Sequence, residues 1–430
     1  MQNSNVKTRL IVLSFLQFAV WGAYLTSMSG YLSKVNEEMG GYIGLFYAVQ
    51  GIVSIFMPAL IGIIADRWVP AQRMLAFCHA VAAVFMGITG YIGMTKGADV
   101  AFNDVFWTYT ISVAFYMPTL ALSNSVSYTV LTKSGLDTVK AFPPIRVFGT
   151  VGFIISMWIV DLAGFQNDYM QFFASAVWGL LLAVYSLTLP HCPLDKSAEK
   201  KSFVAALGLE AFRLFSKKRM ALFFVFSMLL GAALQVSNGF ASPFIGSFNV
   251  DPALADTFAV QHRIILISLS QISETLCILL IPFFLKKFGI KKVMLIAMLG
   301  WVLRFGFFAI GDPGMPGVLF FVLSMIVYGV AFDFFNVSGS LFVDKETPEN
   351  LRSSAQGLFM LMTNGLGASI GVIVAQKVVD CYTESVMLVE NGEKVFYTVG
   401  DWSTAWYIFA GYALVIAVLF AIFFKDKKAV

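Results

Sequence analysis

Three ionisable side chains, Arg146, Glu274 and Asp333, lie within long apolar stretches of this 430-residue chain. A charge at the centre of a lipid bilayer costs about 2.5–3.5 kcal/mol on insertion scales, so such groups are rare and usually functional. We therefore expect a polar site inside a membrane, with Glu274 and Asp333 as the proton-coupling candidates. The alternative for the two acids is a structural pairing with a neighbouring helix. For Arg146 the alternative is a position at the membrane interface.

Helical spacing places further polar and aromatic residues beside these charges. Residues three, four or seven apart share one face of a helix, and residues at i, i+4 and i+5 lie on one side of it, which gives four groups on four predicted helices. The candidate substrate-binding residues are Arg146, Thr150 and Phe153; Gln235 and Asn238; Gln271 and Glu274; and Tyr328, Phe332 and Asp333. Amides donate and accept hydrogen bonds and aromatic rings stack, so the set suits a neutral polar ligand with a flat ring. Two acids make it a poor site for a phosphate.

Four other polar or aromatic residues in apolar stretches are weaker candidates. Gln17 and Trp21 lie four residues apart, and for Gln17 a helix–helix contact explains the side chain at least as well as a ligand does. Arg263 stands near the end of its apolar stretch, so we expect its guanidinium to reach the interface. We expect Arg304 to pair with an acid. Neither arginine is expected to contact the ligand.

The composition identifies the elements that position these residues as membrane-spanning helices. The chain is 58% hydrophobic and 13% charged, with 43 Phe and a mean hydropathy of +0.79. These values exclude a soluble globular protein, a disordered chain and a nucleic-acid-binding protein. A helix needs about 20 apolar residues to cross a bilayer. The sequence has twelve such runs, at 10–33, 42–65, 74–95, 105–131, 142–160, 169–189, 220–247, 258–285, 293–311, 316–342, 353–376 and 402–424.

The Lys and Arg residues between these runs predict the orientation. If the N-terminus is cytoplasmic, 22 of the 29 basic residues fall in cytoplasmic segments and only Lys34, Lys96, Lys377 and Lys394 fall in outer loops. This bias follows the positive-inside rule and places both termini in the cytoplasm. We therefore predict an all-α integral membrane protein with twelve transmembrane helices.

The longest cytoplasmic segment divides the chain into two halves. We predict a six-helix bundle at 1–189, a linker at 190–219 and a second six-helix bundle at 220–430. Within the linker, Ser202 to Phe215 has amphipathic spacing and predicts a short helix along the membrane surface. Two such halves are typical of transporters with a substrate site at the midplane between them.

A short loop after the second apolar run contains Gly62, Asp66 and Arg67 in the sequence GIIADRW. It resembles the Gly-x-x-x-Asp-Arg signature of the major facilitator superfamily. That resemblance implies a charge network with neighbouring helix ends that opens and closes during transport. The alternative is an ordinary basic cytoplasmic loop.

Motifs for other chemistry do not occur in the sequence. The three His and four Cys are scattered without metal-ligand spacing, and there is no Walker-type loop. An enzyme would need a nucleophile–base or metal constellation. We therefore expect no enzymatic activity, no metal and no cofactor.

Seven stretches resemble the nucleoside/proton symporter family of the major facilitator superfamily and are similar to bacterial nucleoside permeases. They are FLQFAVWG, FMPALIGIIADRW, FPPIRVFGTVGF, FSMLLGAALQ, SQISETL, VYGVAFDFFNVSGS and SAQGLFMLMTNG, from the first to the eleventh run. The resemblance implies two six-helix bundles, alternating access and import of nucleosides with protons across a bacterial inner membrane, by a protein we expect to be a monomer. It also implies that the ten candidate residues form the nucleoside site. A sugar or oligosaccharide/proton symporter of the same superfamily is the alternative.

Overall fold

The fold is almost entirely helical, as the length of the apolar runs predicts. A computed structural model of the chain describes residues 2–194, 209–348, 351–390 and 393–425. Ten helices in these ranges are long and apolar enough to cross a membrane. The chain divides into two compact units, one of Met1–Met39 and Ile52–Leu207, the other of Gly40–Gly51 and Gly208–Val430.

The helices of the first half begin and end close to the predicted apolar runs. They are α1 (Gln2–Gly22), α2 (Met28–Val35), α3 (Glu37–Gly40), α4 (Ile43–Arg67), α5 (Ala71–Lys96), α6 (Phe102–Lys133), α7 (Thr138–Leu162) and α8 (Met170–Leu187). Residues 23–27 form a turn between α1 and α2, so the first apolar run contains parts of two helices rather than one. Helix α1 packs along α7, and α5 packs against α6 and α8.

The second half contains a long helix with a break. Its helices are α9 (Lys218–Ser247), α10 (Phe258–Gln261), α11 (Arg263–Ile310), α12 (Val318–Glu346), α13 (Arg352–Met360), a π-helix (Leu361–Gly367), α14 (Ala368–Tyr382) and α15 (Trp402–Phe423). Helix α11 has 48 residues but is interrupted at Gly289, whose φ of 76° is a left-handed conformation that glycine adopts without strain. The break coincides with the basic sequence KKFGIKK between two predicted spans. Helix α12 packs along both segments of α11.

The prediction of an all-α protein is wrong at residues 377–401. This segment forms the end of α14 and an antiparallel hairpin of β1 (Thr383–Glu390) and β2 (Glu393–Gly400), with Thr383 opposite Gly400. Both strands are rich in β-branched and aromatic residues, and the sequence between them is Asn-Gly, a dipeptide typical of hairpin turns. That pattern was available in the sequence and favours a hairpin over a plain loop.

The predicted surface helix at Ser202–Phe215 lies partly outside the described residues. Its described part belongs to a 3₁₀ helix, Leu209–Ser216, rather than an α-helix. This element precedes α9 and packs against α9 and α13.

Candidate functional site

Two acidic residues of the second unit, Glu274 and Asp333, lie beside a pair of aromatic rings. Asp333 and Tyr328 on α12 are only 5% and 4% exposed, whereas Phe332 is half-buried. The rings of Tyr328 and Phe332 are stacked, with centroids 5.7 Å apart and planes at 13°. Oδ2 of Asp333 is buried and has no hydrogen-bond partner in the described part of the chain. The carboxyl groups of Glu274 and Asp333 are close enough to interact electrostatically.

A close helix contact brings Glu274 and Asp333 together. A Cβ at Gly329 would lie 2.6 Å from the carbonyl oxygen of Ser273, so only glycine permits this approach of α12 to α11. The hydroxyl of Ser273 donates across the same contact to the carbonyl of Ile326. Because Glu274 follows Ser273 in the chain, its carboxyl group is held near α12.

The amide residues of the second unit lie on two helices. Asn238 on α9 donates through Nδ2 to Oε1 of Gln235 at 3.1 Å, as their spacing predicts. Gln271 lies on α11 one turn before Glu274, and its Oε1 is buried with no hydrogen-bond partner among the described residues. Carbonyl oxygens of this kind accept hydrogen bonds from hydroxyl groups.

The prediction that Arg304 pairs with an acid is wrong. This arginine on α11 is 2% exposed, and its hydrogen-bond partners in the described chain are two serine hydroxyls, a main-chain carbonyl and, more distantly, a methionine sulfur. Its guanidinium carbon lies 4.6 Å from the centroid of the Tyr328 ring. Sequence reasoning set Arg304 aside because its partners are serines on distant segments, which give no charge pattern.

Arg263 also differs from the expectation that it reaches the interface. Its side chain is buried, with Nε donating to Ser242 Oγ at 3.0 Å and Nη1 donating to the carbonyl of Val260 at 3.3 Å. Hydrogen bonds within the protein replace those that the interface would supply, so the guanidinium does not need to extend to water.

The candidates of the first unit lie on α7, against aromatic rings of α1. The half-buried Arg146 places its guanidinium carbon 3.9 Å from the centroid of the Phe18 ring. Phe153 packs edge-to-face on Trp21, with centroids 6.3 Å apart. Thr150 lies between them on the same helix and is partly exposed. Arg146 and Phe153 therefore contact neighbouring residues of one helix, α1.

The helix–helix explanation of Gln17 is confirmed. Its Nε2 donates to Thr119 Oγ1 at 2.8 Å on α6, and its Oε1 lies 2.9 Å from Nε2 of His79 on α5. The Tyr116 hydroxyl donates to the Gln17 carbonyl at 2.8 Å and its ring contacts Trp21. Trp21 connects this buried hydrogen-bond network to Phe153, because its ring contacts both Tyr116 and Phe153. The spacing of Gln17 and Trp21 in the sequence did not indicate these partners.

The residues of the predicted switch loop lie at the end of α4. A Cβ at Gly62 would meet no other atom within 4 Å, so close packing does not explain this glycine. Arg67 is the last residue of the helix, and the side chain of Asp66 is not among those the structure describes. The charge network of this loop stays a prediction.

No group of three or more His, Cys, Asp or Glu residues in the described ranges could hold a metal ion. The polar groups of the candidate residues in the second unit are instead amides, a phenol hydroxyl and two carboxyls. Such a set can bind a polar ligand by hydrogen bonds and exchange protons with it or with water.

Comparison with known proteins identifies the family of this chain. The profile described as nucleoside H⁺ symporter matches residues 4–429. The chain belongs to the nucleoside H⁺ symporter family. This symporter chain is 48% identical over 423 residues to nucleoside permease NupG of Escherichia coli (strain K12), covering 98% of this chain and 97% of NupG. It is 47% identical over 421 residues to xanthosine permease of the same organism, covering 98% and 96%.

Solved structures agree with the family. The crystal structure of nucleoside transporter NupG matches this symporter chain with a TM-score of 0.86 at 47% identity, covering 98% of this chain and all of that one. The xylose transporter XylE from E. coli matches with a TM-score of 0.61 at 13% identity, covering 98% and 99%, and at that identity the likeness concerns the fold alone. The predicted family and the transporter class are confirmed.

Proposed function

We propose that this protein imports nucleosides together with protons across a bacterial inner membrane. Membership of the nucleoside H⁺ symporter family supports the substrate and the coupling ion. The observation that carries the proposal is a pair of neighbouring acids, the half-buried Glu274 and the buried Asp333, next to the stacked rings of Tyr328 and Phe332. Rings can hold a base, and acids inside the membrane can carry a proton.

The proposed topology has twelve spans, with both termini in the cytoplasm. Helices α1 and α2 would together supply the first span, and the break at Gly289 would divide α11 into two spans. These additions to the ten membrane-capable helices give twelve. The linker at 190–219 would then join two six-helix bundles, 1–189 and 220–430, that alternate access to a midplane site as a monomer.

Proton coupling follows from the proximity of two acids in a weakly polar environment. Two carboxylates close together repel each other, and each loses hydration when the site closes. Protonating Asp333 or Glu274 removes one of these charges, which lowers the cost of closing the loaded site. Release of the proton on the cytoplasmic side restores the repulsion and favours release of the nucleoside.

Substrate recognition would combine ring stacking with amide hydrogen bonds. Phe332 is more exposed than Tyr328, so we place the base against Phe332 or against Phe153 of the first unit. The unpartnered Oε1 of Gln271 suits a ribose hydroxyl, because it is an acceptor without a donor in the described chain. The remaining base and ribose contacts would come from Arg146, Thr150, Gln235, Asn238 and Glu274. No catalytic step, cofactor or nucleic-acid partner is involved.

Uptake by proteoliposomes tests this function. One proton driven by 100 mV supplies about 2.3 kcal/mol, enough for about 50-fold accumulation of a neutral nucleoside. We expect the unaltered protein to accumulate labelled uridine or adenosine under an imposed gradient, and free ribose or lactose not to compete. Competition by the sugars instead would favour a sugar symporter.

A second arm tests the acid. Asp333→Asn should exchange nucleoside across the membrane but lose gradient-driven accumulation, because the amide cannot carry the proton. Asp344→Asn is the matched control, since Asp344 lies on the same helix with an exposed side chain. If Asp333→Asn kept full accumulation, coupling through that residue would be wrong.

A further inference from the structure

A buried arginine without an acidic partner requires an explanation in a membrane protein. Arg304 is almost fully buried, and a guanidinium in that setting is costly unless its hydrogen bonds are satisfied. Its partners within the described chain are Ser237 Oγ, Ser270 Oγ, Met325 Sδ and the carbonyl of Ser324, none of which is charged. The usual role of such a residue, a structural ion pair, does not account for it.

The hydrogen bonds of Arg304 connect three helices. Nε and Nη2 donate to Ser237 Oγ on α9 at 2.9 and 2.6 Å. Nη1 donates to Ser270 Oγ at 3.2 Å on the other segment of α11, and to the carbonyl of Ser324 on α12 at 2.8 Å. The Ser324 hydroxyl donates back to the Arg304 carbonyl at 2.9 Å.

These anchors adjoin the candidate site in the chain. Ser237 lies between Gln235 and Asn238, and Ser270 immediately precedes Gln271. The three connected helices carry seven of the ten candidate residues, which are Gln235, Asn238, Gln271, Glu274, Tyr328, Phe332 and Asp333. A single side chain therefore fixes the spacing of the elements that present these residues.

The guanidinium also fixes the orientation of an aromatic ring. It lies 4.6 Å from the centroid of Tyr328, and Trp301, one turn earlier on α11, contacts the same ring edge-on at 5.9 Å and 87°. Tyr328 is buried and stacks on the more exposed Phe332. Tyr328 thus lies between Arg304 and the Phe332 ring, so the position of Arg304 determines where the Phe332 ring lies.

We propose that Arg304 is a positioning residue that holds the Tyr328–Phe332 pair and its flanking amides in the geometry that binds nucleoside. The proposal rests on the proposed function for the identity of the ligand. Lysine would keep the charge but not the role, because its ammonium is a point charge without the planar fork that bonds Ser237 and Ser270 together.

Uptake kinetics with uridine test the proposal. Arg304→Lys should raise KM about tenfold while changing kcat by less than about twofold, since binding geometry is lost and proton coupling is not. The matched control is Arg263→Lys, which alters another buried arginine of α11 whose hydrogen bonds include those to Ser242 Oγ and the Val260 carbonyl. Its KM should stay within about twofold of the unaltered protein. An unchanged KM in Arg304→Lys, or an equal rise in Arg263→Lys, would overturn the proposal.

A spectroscopic measurement without substrate tests the role of Arg304 independently of the proposed transport function. A fluorinated phenylalanine placed at position 332 should give a ¹⁹F resonance that shifts or broadens in Arg304→Lys and stays unchanged in Arg263→Lys. An unchanged resonance in both variants would refute the positioning role. If the unaltered protein took up no uridine, the proposed function would fail, and this spectrum would still test Arg304.

Discussion

Substituting Gly152 by alanine should separate two helices of the first unit and weaken substrate binding. A Cβ at this position on α7 would lie 2.2 Å from the carbonyl oxygen of Phe15 on α1, 0.8 Å short of the 3.0 Å below which such contacts essentially never occur. The obstacle is main chain, so it cannot rotate away. Small residues at helix contacts of this kind permit close packing in membranes.

The size of the effect follows from two opposing terms. Overpacking costs about 1–3 kcal/mol, and the rigid obstacle favours the upper end. Alanine returns about 1 kcal/mol through its higher helix propensity. The net loss of about 2 kcal/mol corresponds to a Tm about 4–8 °C lower for a unit of this size. Because Phe153 follows Gly152 and contacts Trp21 of α1, a separation of about 0.8 Å should also raise KM for nucleoside, by about tenfold.

A thermal-unfolding assay in detergent, with uptake measured on the same preparations, checks this prediction. The matched control is Gly411→Ala on α15, where a Cβ would meet no atom within 4 Å. We expect the control to keep or slightly raise Tm and to leave KM unchanged. If Gly152→Ala unfolded at the same temperature as the control, the tight contact between α1 and α7 would be refuted.

Three further outcomes are expected. Hydrogen bonds from the Thr404 side chain and amide hold the pKa of Asp401 below its ordinary 3.8. The ionised carboxylate therefore stabilises the fold fully above pH 3.8, and this stabilisation is lost as pH falls through the pKa of Asp401 in the folded protein. Asp401→Ala should lower Tm at pH 7 and remove this dependence of Tm on acid pH in a series of melts. Arg219→Gln, which breaks the pair with Glu346, should cost up to about 1 kcal/mol, and less in 1 M salt, by melts at two ionic strengths. Gly62→Ala should not lower Tm, because alanine fits there and favours helix by about 1 kcal/mol. Slower uptake with an unchanged Tm would assign Gly62 to the transport cycle. A lower Tm would contradict the free space around the Gly62 Cβ position.

The sequence was sufficient to predict a mostly helical membrane protein and two of the contacts on its helix faces. Apolar length determines where a helix can cross a bilayer, and a charge inside such a run is rare enough to be informative. Local spacing predicted that Tyr328, Phe332 and Asp333 lie on one side of a helix, and the stacked rings of Tyr328 and Phe332 agree with this for those two residues. The hydrogen bond between Gln235 and Asn238 follows from the same spacing.

The partners of buried groups could not be predicted in this way. Ser237 and Arg304 are 67 residues apart, and a serine in an apolar helix gives no sign of what it binds. The acids suggested an ion pair for Arg304, whereas the structure satisfies it with hydroxyls and a carbonyl. Contacts between helices distant in sequence depend on how the helices pack. The periodicity of residues within a single helix carries no information about that packing.

The hairpin of β1 and β2 makes this transporter a convenient subject for electron cryomicroscopy. A two-stranded sheet with open edges is not stable in hydrocarbon, so the hairpin must lie outside the lipid, and its second strand packs against α9. It joins α14 and α15 without an intervening loop, and the Asp401 amide donates to the Tyr382 carbonyl at 2.8 Å across its base. A small rigid domain grafted between Glu390 and Glu393 would therefore move with the second unit. The chain is only 47.3 kDa and would be largely enclosed by its detergent micelle. The grafted domain would extend beyond the micelle and provide a feature by which images can be aligned.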